Sequence, residues 1–262
     1  MSLSFNTKSP MLLSEALNRF DSKQHQDYAA FQPFVSAYYA EKGGKKTAGS
    51  LAQALVMILN NWGAGKRKAP ECQTQAAIEK CLSDKAFYSQ LVQLKAAAPL
   101  LGISDDQQRS IKPEAPFASI AAFDSCLMAV LNRIADEILV FEKNSRSAAY
   151  PMKVLLLLTG LMPALDSSVR KGLTQAGLAG FHAACSLDHP TDAKKICALP
   201  FYLGALIQRH KILIYSAIAS SQHRNLAAEY GRFFDIILSM QSDAPALLVF
   251  TPHPDAQKWY NI

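Results

Sequence analysis

The feature that most constrains this chain is an apolar period sustained through residues 119–141. Ile120, Phe123, Leu127, Val130, Leu131, Ile134, Ile138 and Phe141 recur at steps of three and four. That spacing lays one side of a helix against a core. The same period returns in shorter form along the chain. Leu12, Leu13, Ala16, Leu17 and Phe20 follow Ser9-Pro10, a cap residue and a first-turn proline. Leu51, Leu55, Ile58, Leu59 and Trp62 make a second stripe, and the late segments 199–221 and 223–240 carry two more. No alternating run and no strand–helix–strand period interrupts them. Residues 246–250, ahead of Pro252 and Pro254, are the one stretch that reads as a strand. These patterns predict an all-α chain of about ten helices in a globular, bundle-like array, with at most one short C-terminal strand.

Punctuation divides the chain. Gly43-Gly44 stops a helix predicted over 28–41 despite Pro33, and Thr47 or Ser50 opens the next one, which ends at Gly63. Residues 73–98 read as one or two polar helices. Residues 102–116, with Asp105, Asp106, Pro113 and Pro116, read as a long loop. The expected organisation is a single domain over 1–262, or two helical lobes, 1–101 and 117–262, joined by that loop. Half of the residues are hydrophobic and 18% are charged, enough for a sizeable core. The apolar stretch 154–165 is too short to span a bilayer, and 198–221 carries Arg209, His210 and Lys211 midway. No membrane association is expected. The N-terminal residues lack the charged-then-apolar order of a signal peptide. The five cysteines are odd in number, widely spaced and free of any CxxC. Reduced thiols in a cytoplasmic protein are therefore expected, with no metal site and no cofactor.

The chain carries a net charge of +6, which favours anionic partners, nucleic acid first. Lys66, Arg67 and Lys68 form its densest cationic run, in the loop GAGKRKAP after the Trp62-Gly63 helix end. Cations beside a glycine turn suit phosphate contacts; they equally suit a solvated helix C-terminus. The loop is not a P-loop, because the G-x-x-x-x-G-K-[ST] spacing is missing. Serine-hydrolase, HExxH, EF-hand and kinase signatures are absent too. Asp136 and Glu137 read as a solvated helix face, and Asp188, His182 and His189 as loop residues.

Chemistry concentrates in residues 150–172. An apolar helix carrying Lys153 breaks at Gly160 and Met162-Pro163, and a new helix starts at Asp166 with Arg170 and Lys171 close behind. Asp166 is placed to cap that helix and to pair with Arg170 four residues on. Arg170 and Lys171 stand near a helix N-terminus, where the dipole disfavours cations, so a bound anion is one expectation there.

A lysine on an apolar helix, a break, and then P-x-x-D-S-x-V-R resembles the back half of the helix-hairpin-helix DNA glycosylase pattern. The resemblance implies that Lys153 would attack the sugar of a damaged nucleotide and Asp166 would assist. The chain is also similar to uncharacterised bacterial helical proteins that join a W-G-x-x-x-R segment to a later lysine and P-x-x-D. The matching positions are Trp62, Gly63 and Arg67, then Lys153, Leu156, Leu157, Pro163 and Asp166. The expectation is a DNA- or RNA-associated helical protein, with Lys66, Arg67, Lys68, Arg170 and Lys171 on phosphates and Lys153 and Asp166 as the catalytic pair of a divergent glycosylase. The alternative is a non-enzymatic helical protein that binds a partner or forms a homo-oligomer. Whether the chain is an enzyme stays open at this level.

Overall fold

The computed structural model describes residues 2–20, 22–106, 108–142, 146–242, 247–251 and 258–260. It is 63% helical, and among the described residues there are ten α-helices and six short strands. The helices are α1 (Pro10–Arg19), α2 (Ser22–Ala40), α3 (Lys45–Asn61), α4 (Gln75–Leu82), α5 (Lys85–Ala97), α6 (Ile120–Arg133), α7 (Ala149–Thr159), α8 (Ser167–Gln175), α9 (Pro190–Ala219) and α10 (Tyr230–Gln241). The predominance of helix agrees with the apolar periodicity.

The strands correct the expectation of at most one. β1 (Ser2–Phe5) pairs antiparallel with β6 (Leu248–Thr251), β2 (Glu71–Cys72) with β5 (Leu139–Val140), and β3 (Leu101–Ile103) with β4 (Arg109–Ile111). None exceeds four residues, so none can show a period of its own. β1 and β6 also lie at opposite ends of the chain. Their pairing sets Leu3 opposite Phe250 and closes the N-terminus onto the C-terminal segment.

Two helix assignments change for physical reasons. The 119–141 period runs as helix only to Arg133. Ile134–Ile138 then widen into a π-turn, and Leu139–Val140 leave as β5 to pair with β2. The start is as expected: Ser119 Oγ accepts the Ala122 N–H at 3.1 Å. The stretch 102–116 is in part the β3–β4 hairpin, seated on α9. Gly204 of α9 lets the backbones approach so closely that a Cβ there would overlap the Leu101 carbonyl, and Gln208 Nε2 donates to the same oxygen at 3.0 Å. α9 itself is a 30-residue run with a kink at His210.

Smaller differences lie at helix ends. α2 begins at Ser22 rather than 28 and carries Pro33 inside it, and α3 begins at Lys45 with Gly44 as its cap, ahead of Thr47 and Ser50. Ser9 precedes α1 but its side chain makes no capping bond. Buried apolar side chains from both sides of 102–116 belong to one hydrophobic cluster. α7 contributes Val154, Leu155, Leu156, Leu157 and Leu158 to it, all buried. Each such side chain contributes about 1.5–3 kcal/mol by leaving water. No described helix is long and apolar enough to cross a membrane.

Candidate nucleic-acid interface

The break between α7 and α8 is built by α10. Gly160 ends α7 in the left-handed conformation, φ 63°, with its N–H on Leu156 O at 2.9 Å. Its own carbonyl accepts the Gly231 N–H at 3.0 Å. Directly after Pro163, the Ala164 N–H donates to Asp235 Oδ1 at 3.0 Å. Asp166 then caps α8, accepting the N–H groups of Ser168 and Val169, each at 3.1 Å.

The predicted Asp166–Arg170 pairing is not formed. Arg170 Nη1 turns away to the carbonyls of Phe181, at 3.2 Å, and His182, at 3.1 Å. These oxygens explain how a cation sits near a helix N-terminus, without need of a bound anion. Lys171 is exposed on the next position of α8.

The Trp62-Gly63 segment and the Lys153 segment meet. The Trp62 carbonyl, at the end of α3, accepts the Tyr150 hydroxyl at 3.2 Å and Lys153 Nζ at 3.5 Å. Lys153 Nζ also lies 4.6 Å from the centre of the Tyr150 ring. A carbonyl oxygen and a π-face are both partners for an ammonium. Tyr150 stands within α7's first turn, in Ala149-Tyr150-Pro151-Met152. Burial, and then the Asp166 carboxylate, push the Tyr150 phenol above its ordinary value. Tyr150 is thus in contact with Lys153 and within the field of Asp166.

The basic loop borders this point. Gly63 and Gly65 take φ of 93° and 69°, and Arg67 itself is left-handed at 58°. Lys66, Arg67 and Lys68 are exposed. With Phe141, Glu142 and Tyr150 they line a depression of about 460 Å³. Phe141 and Glu142 also border a second depression of about 630 Å³, where Arg146 pairs with Asp136 at 3.3 Å and Asp188 at 3.2 Å. Arg170 and Lys171 line neither depression.

Against Trp62 lies a polar cluster that sequence reasoning missed. Arg232, 1% exposed, bonds Asp235 Oδ2 at 2.5 Å, and the rings of Phe20, Tyr28 and Trp62 stand 4.9, 5.2 and 5.2 Å from its guanidinium carbon. Tyr28 OH donates to Glu229 Oε2 at 2.8 Å. The His25 and His223 rings lie 4.0 Å apart, with His25 Nε2 3.1 Å from Asn225 Oδ1. Burial pushes the Asp235 carboxyl up to about 6; Arg232 opposes this, the Asp166 charge adds to it and the Lys153 charge subtracts. Burial and then the neighbouring His223 bring His25 down to about 4. Lys153 and Asp166 therefore both act on one buried carboxylate. A signal was available: Arg232 and Asp235 are spaced i,i+3 inside the apolar run YGRFFDIIL, where an unpaired charge would be costly.

Among the described residues no group of three or more His, Cys, Asp or Glu side chains is placed to hold a metal ion. All five cysteines are free, and burial raises each thiol above its ordinary value, which disfavours thiolate chemistry. Comparison of the chain with protein-family models, with curated proteins and with solved structures finds no match.

Proposed function

We propose that this chain associates with nucleic acid through the face formed by the Lys66-Arg67-Lys68 loop and the first turn of α7. The observation that carries the proposal is that these three exposed cations and the Tyr150 ring line one depression. Cations that meet phosphates beside an aromatic face that stacks a base are the two parts of a single-strand site. Lys153 and Asp166 flank the same tyrosine through a ring contact and a charge effect. In the enzymatic form of the proposal, Lys153 leaves the Trp62 carbonyl and the Tyr150 ring and gives its proton to solvent; its amine then bonds the sugar carbon as the bond from that carbon to the damaged base breaks, the base leaves with a proton from solvent, and Asp166 stabilises the positive charge that develops on the sugar.

Binding is tested with an unrelated single-stranded oligonucleotide at low and raised salt, against the triple variant Lys66→Ala, Arg67→Ala, Lys68→Ala. Salt-sensitive binding weakened by the triple variant supports the proposal, and no binding at low salt removes it. Borohydride trapping on an abasic-site duplex tests the enzymatic form. The absence of an adduct that depends on Lys153 rules out a lysine nucleophile and leaves the binding proposal standing.

A second reading rests on exposed apolar side chains. Met11, 64% exposed, and Leu12 on α1 accompany Ile212, 84% exposed, and Tyr215 on α9, and these two helices pack together. Such side chains suit self-association. Light scattering of the wild type against Ile212→Lys tests it: a monomer in both ends this reading.

A further inference from the structure

The Arg232 guanidinium uses one of its three nitrogens. Nη1 holds Asp235, while Nε and Nη2 have no hydrogen-bond partner among the described residues although the residue is 1% exposed. These two nitrogens are not an arbitrary pair. Their N–H bonds point the same way along one edge of the guanidinium, the edge that grips two oxygens of a carboxylate or phosphate at once. A third donor stands beside them. Trp62 Nε1 is likewise without a partner, and the Trp62 ring centre is 5.2 Å from the guanidinium carbon. The indole and the guanidinium are therefore neighbouring groups, each with buried donors to satisfy.

The surrounding rings do not remove the need for an acceptor. Phe20, Tyr28 and Trp62 pack around the guanidinium carbon and offer an N–H at most a weak partner. Buried donors left unsatisfied are costly, and buried charged ones most of all. Among the described residues, the carboxylates of the cluster bond other donors: Asp235 holds Nη1 and the Ala164 N–H, Glu229 the Tyr28 hydroxyl, and Asp166 the α8 cap. Asn225, the remaining short acceptor in the cluster, faces His25. Three buried donors on two neighbouring side chains thus have no hydrogen-bond partner among the described residues.

We infer that the Arg232 edge and the Trp62 indole form a binding site for a small oxyanion, a carboxylate or a phosphate group, at the junction of α3 and α10. The inference does not depend on nucleic-acid binding by the basic loop. The oxyanion chemistry is common to a free phosphate, a small carboxylate and the terminal phosphate of a strand.

The two tryptophans of the chain provide the test. Trp259 Nε1 donates to Ala179 O at 2.9 Å, so its indole N–H is an internal reference, whereas the Trp62 indole is not bonded. Inorganic phosphate and acetate are titrated separately into ¹⁵N-labelled full-length protein at constant ionic strength, with sodium chloride as the control. Trp62→Phe assigns the two indole signals. The expected result is a saturable shift of the Trp62 signal with phosphate or acetate, no shift of Trp259, and an apparent Kd weakened about tenfold or more in Arg232→Lys. A third arm compares a trinucleotide with and without a 5′-phosphate, and a response confined to the phosphorylated form assigns the site to strand ends. No Trp62 shift beyond the chloride control overturns the inference, as does an equal movement of both indoles. If Arg232→Lys does not fold, phosphate protection against thermal unfolding is compared between wild type and Trp62→Phe, and equal protection overturns it.

Discussion

Two glycines that lie in helices are predicted to respond to the same substitution with opposite sign. Gly231 is the second residue of α10, and its N–H meets the Gly160 carbonyl at 3.0 Å. A Cβ on Gly231 would overlap that carbonyl oxygen and come within 2.8 Å of Gly160 C and 2.9 Å of Met162 N. All three are backbone atoms of the turn between α7 and α8, so they cannot rotate away as a side-chain end does. α10 has to move off the turn. The displacement costs about 1–3 kcal/mol in disturbed packing, and the lost hydrogen bond costs about 1 more. Helix propensity returns at most about 1 kcal/mol. The net loss in Gly231→Ala is therefore about 1–3 kcal/mol. Gly49, inside α3, differs in what surrounds it: its added Cβ would meet Glu79 Oε2 at 3.1 Å, the free end of a flexible side chain. That end swings aside, so Gly49→Ala gains about 0.5–1 kcal/mol. Urea unfolding followed by circular dichroism reads both variants, as midpoint shifts at unchanged slope. A Gly231→Ala midpoint at or above wild type would refute the claim that α10 clamps the turn by backbone contact.

Further outcomes follow from the same contacts. Asp166→Ala removes the side chain that accepts two α8 N–H groups and should lower stability by about 1 kcal/mol in the same assay, while Asp166→Asn, which can still cap, should lose little. Tyr150→Phe removes the hydroxyl bond to Trp62 O but keeps the ring under Lys153; it should cost about 1 kcal/mol of stability and leave oligonucleotide affinity within about twofold, whereas Tyr150→Ala should weaken affinity by about tenfold. Acid should act on His25 and Asp235 in opposite directions. The folded state holds His25 near 4, below its ordinary 6.5, so it binds fewer protons than the unfolded chain, and about 3 kcal/mol present above pH 6.5 is lost as pH falls toward 4. The folded state holds Asp235 near 6, above its ordinary 3.8, so it binds more protons, and about 3 kcal/mol is gained as pH falls through that window. Asp235→Asn removes the opposing gain, so its urea midpoint should drop more steeply than wild type between pH 7 and 4.5; equal slopes contradict the assignment.

What was legible in the sequence is what a local period encodes. The stripes of Leu51, Leu55, Ile58 and Leu59 and of Phe123, Leu127, Val130 and Leu131 marked α3 and α6, and all of these side chains are buried. The turn chemistry of Gly160 and the cap at Asp166 were also readable, because each depends on residues within one helical turn. Pairings over long separations were not. β1 finds β6 across almost the whole chain, and Ile134 continues the apolar period while the backbone already widens toward β5. Arg170 has an acidic residue at the helical spacing for a pair, yet its partners are the Phe181 and His182 carbonyls, which no spacing rule connects to it. Around the candidate site the sequence marked Lys66, Arg67, Lys68 and Lys153 by charge and Trp62-Gly63 by helix termination. It could not show that Tyr150 joins them, since that junction is a contact between α3 and α7. Arg232 and Asp235 left a trace as charges inside the apolar run YGRFFDIIL, but the rings around them stayed hidden because Phe20, Tyr28 and Trp62 join from the end of α1, from α2 and from the end of α3.

The most direct test of the central claim is the salt dependence of single-stranded oligonucleotide binding, measured by fluorescence anisotropy from 50 to 300 mM salt. If Lys66, Arg67 and Lys68 each meet a phosphate, the triple alanine variant should bind more weakly and its log–log salt slope should be shallower than wild type by about 2, three contacts at about 0.7 each. A wild-type protein that fails to bind at 50 mM salt, or a triple variant with the wild-type slope, contradicts the placement of nucleic acid on this face.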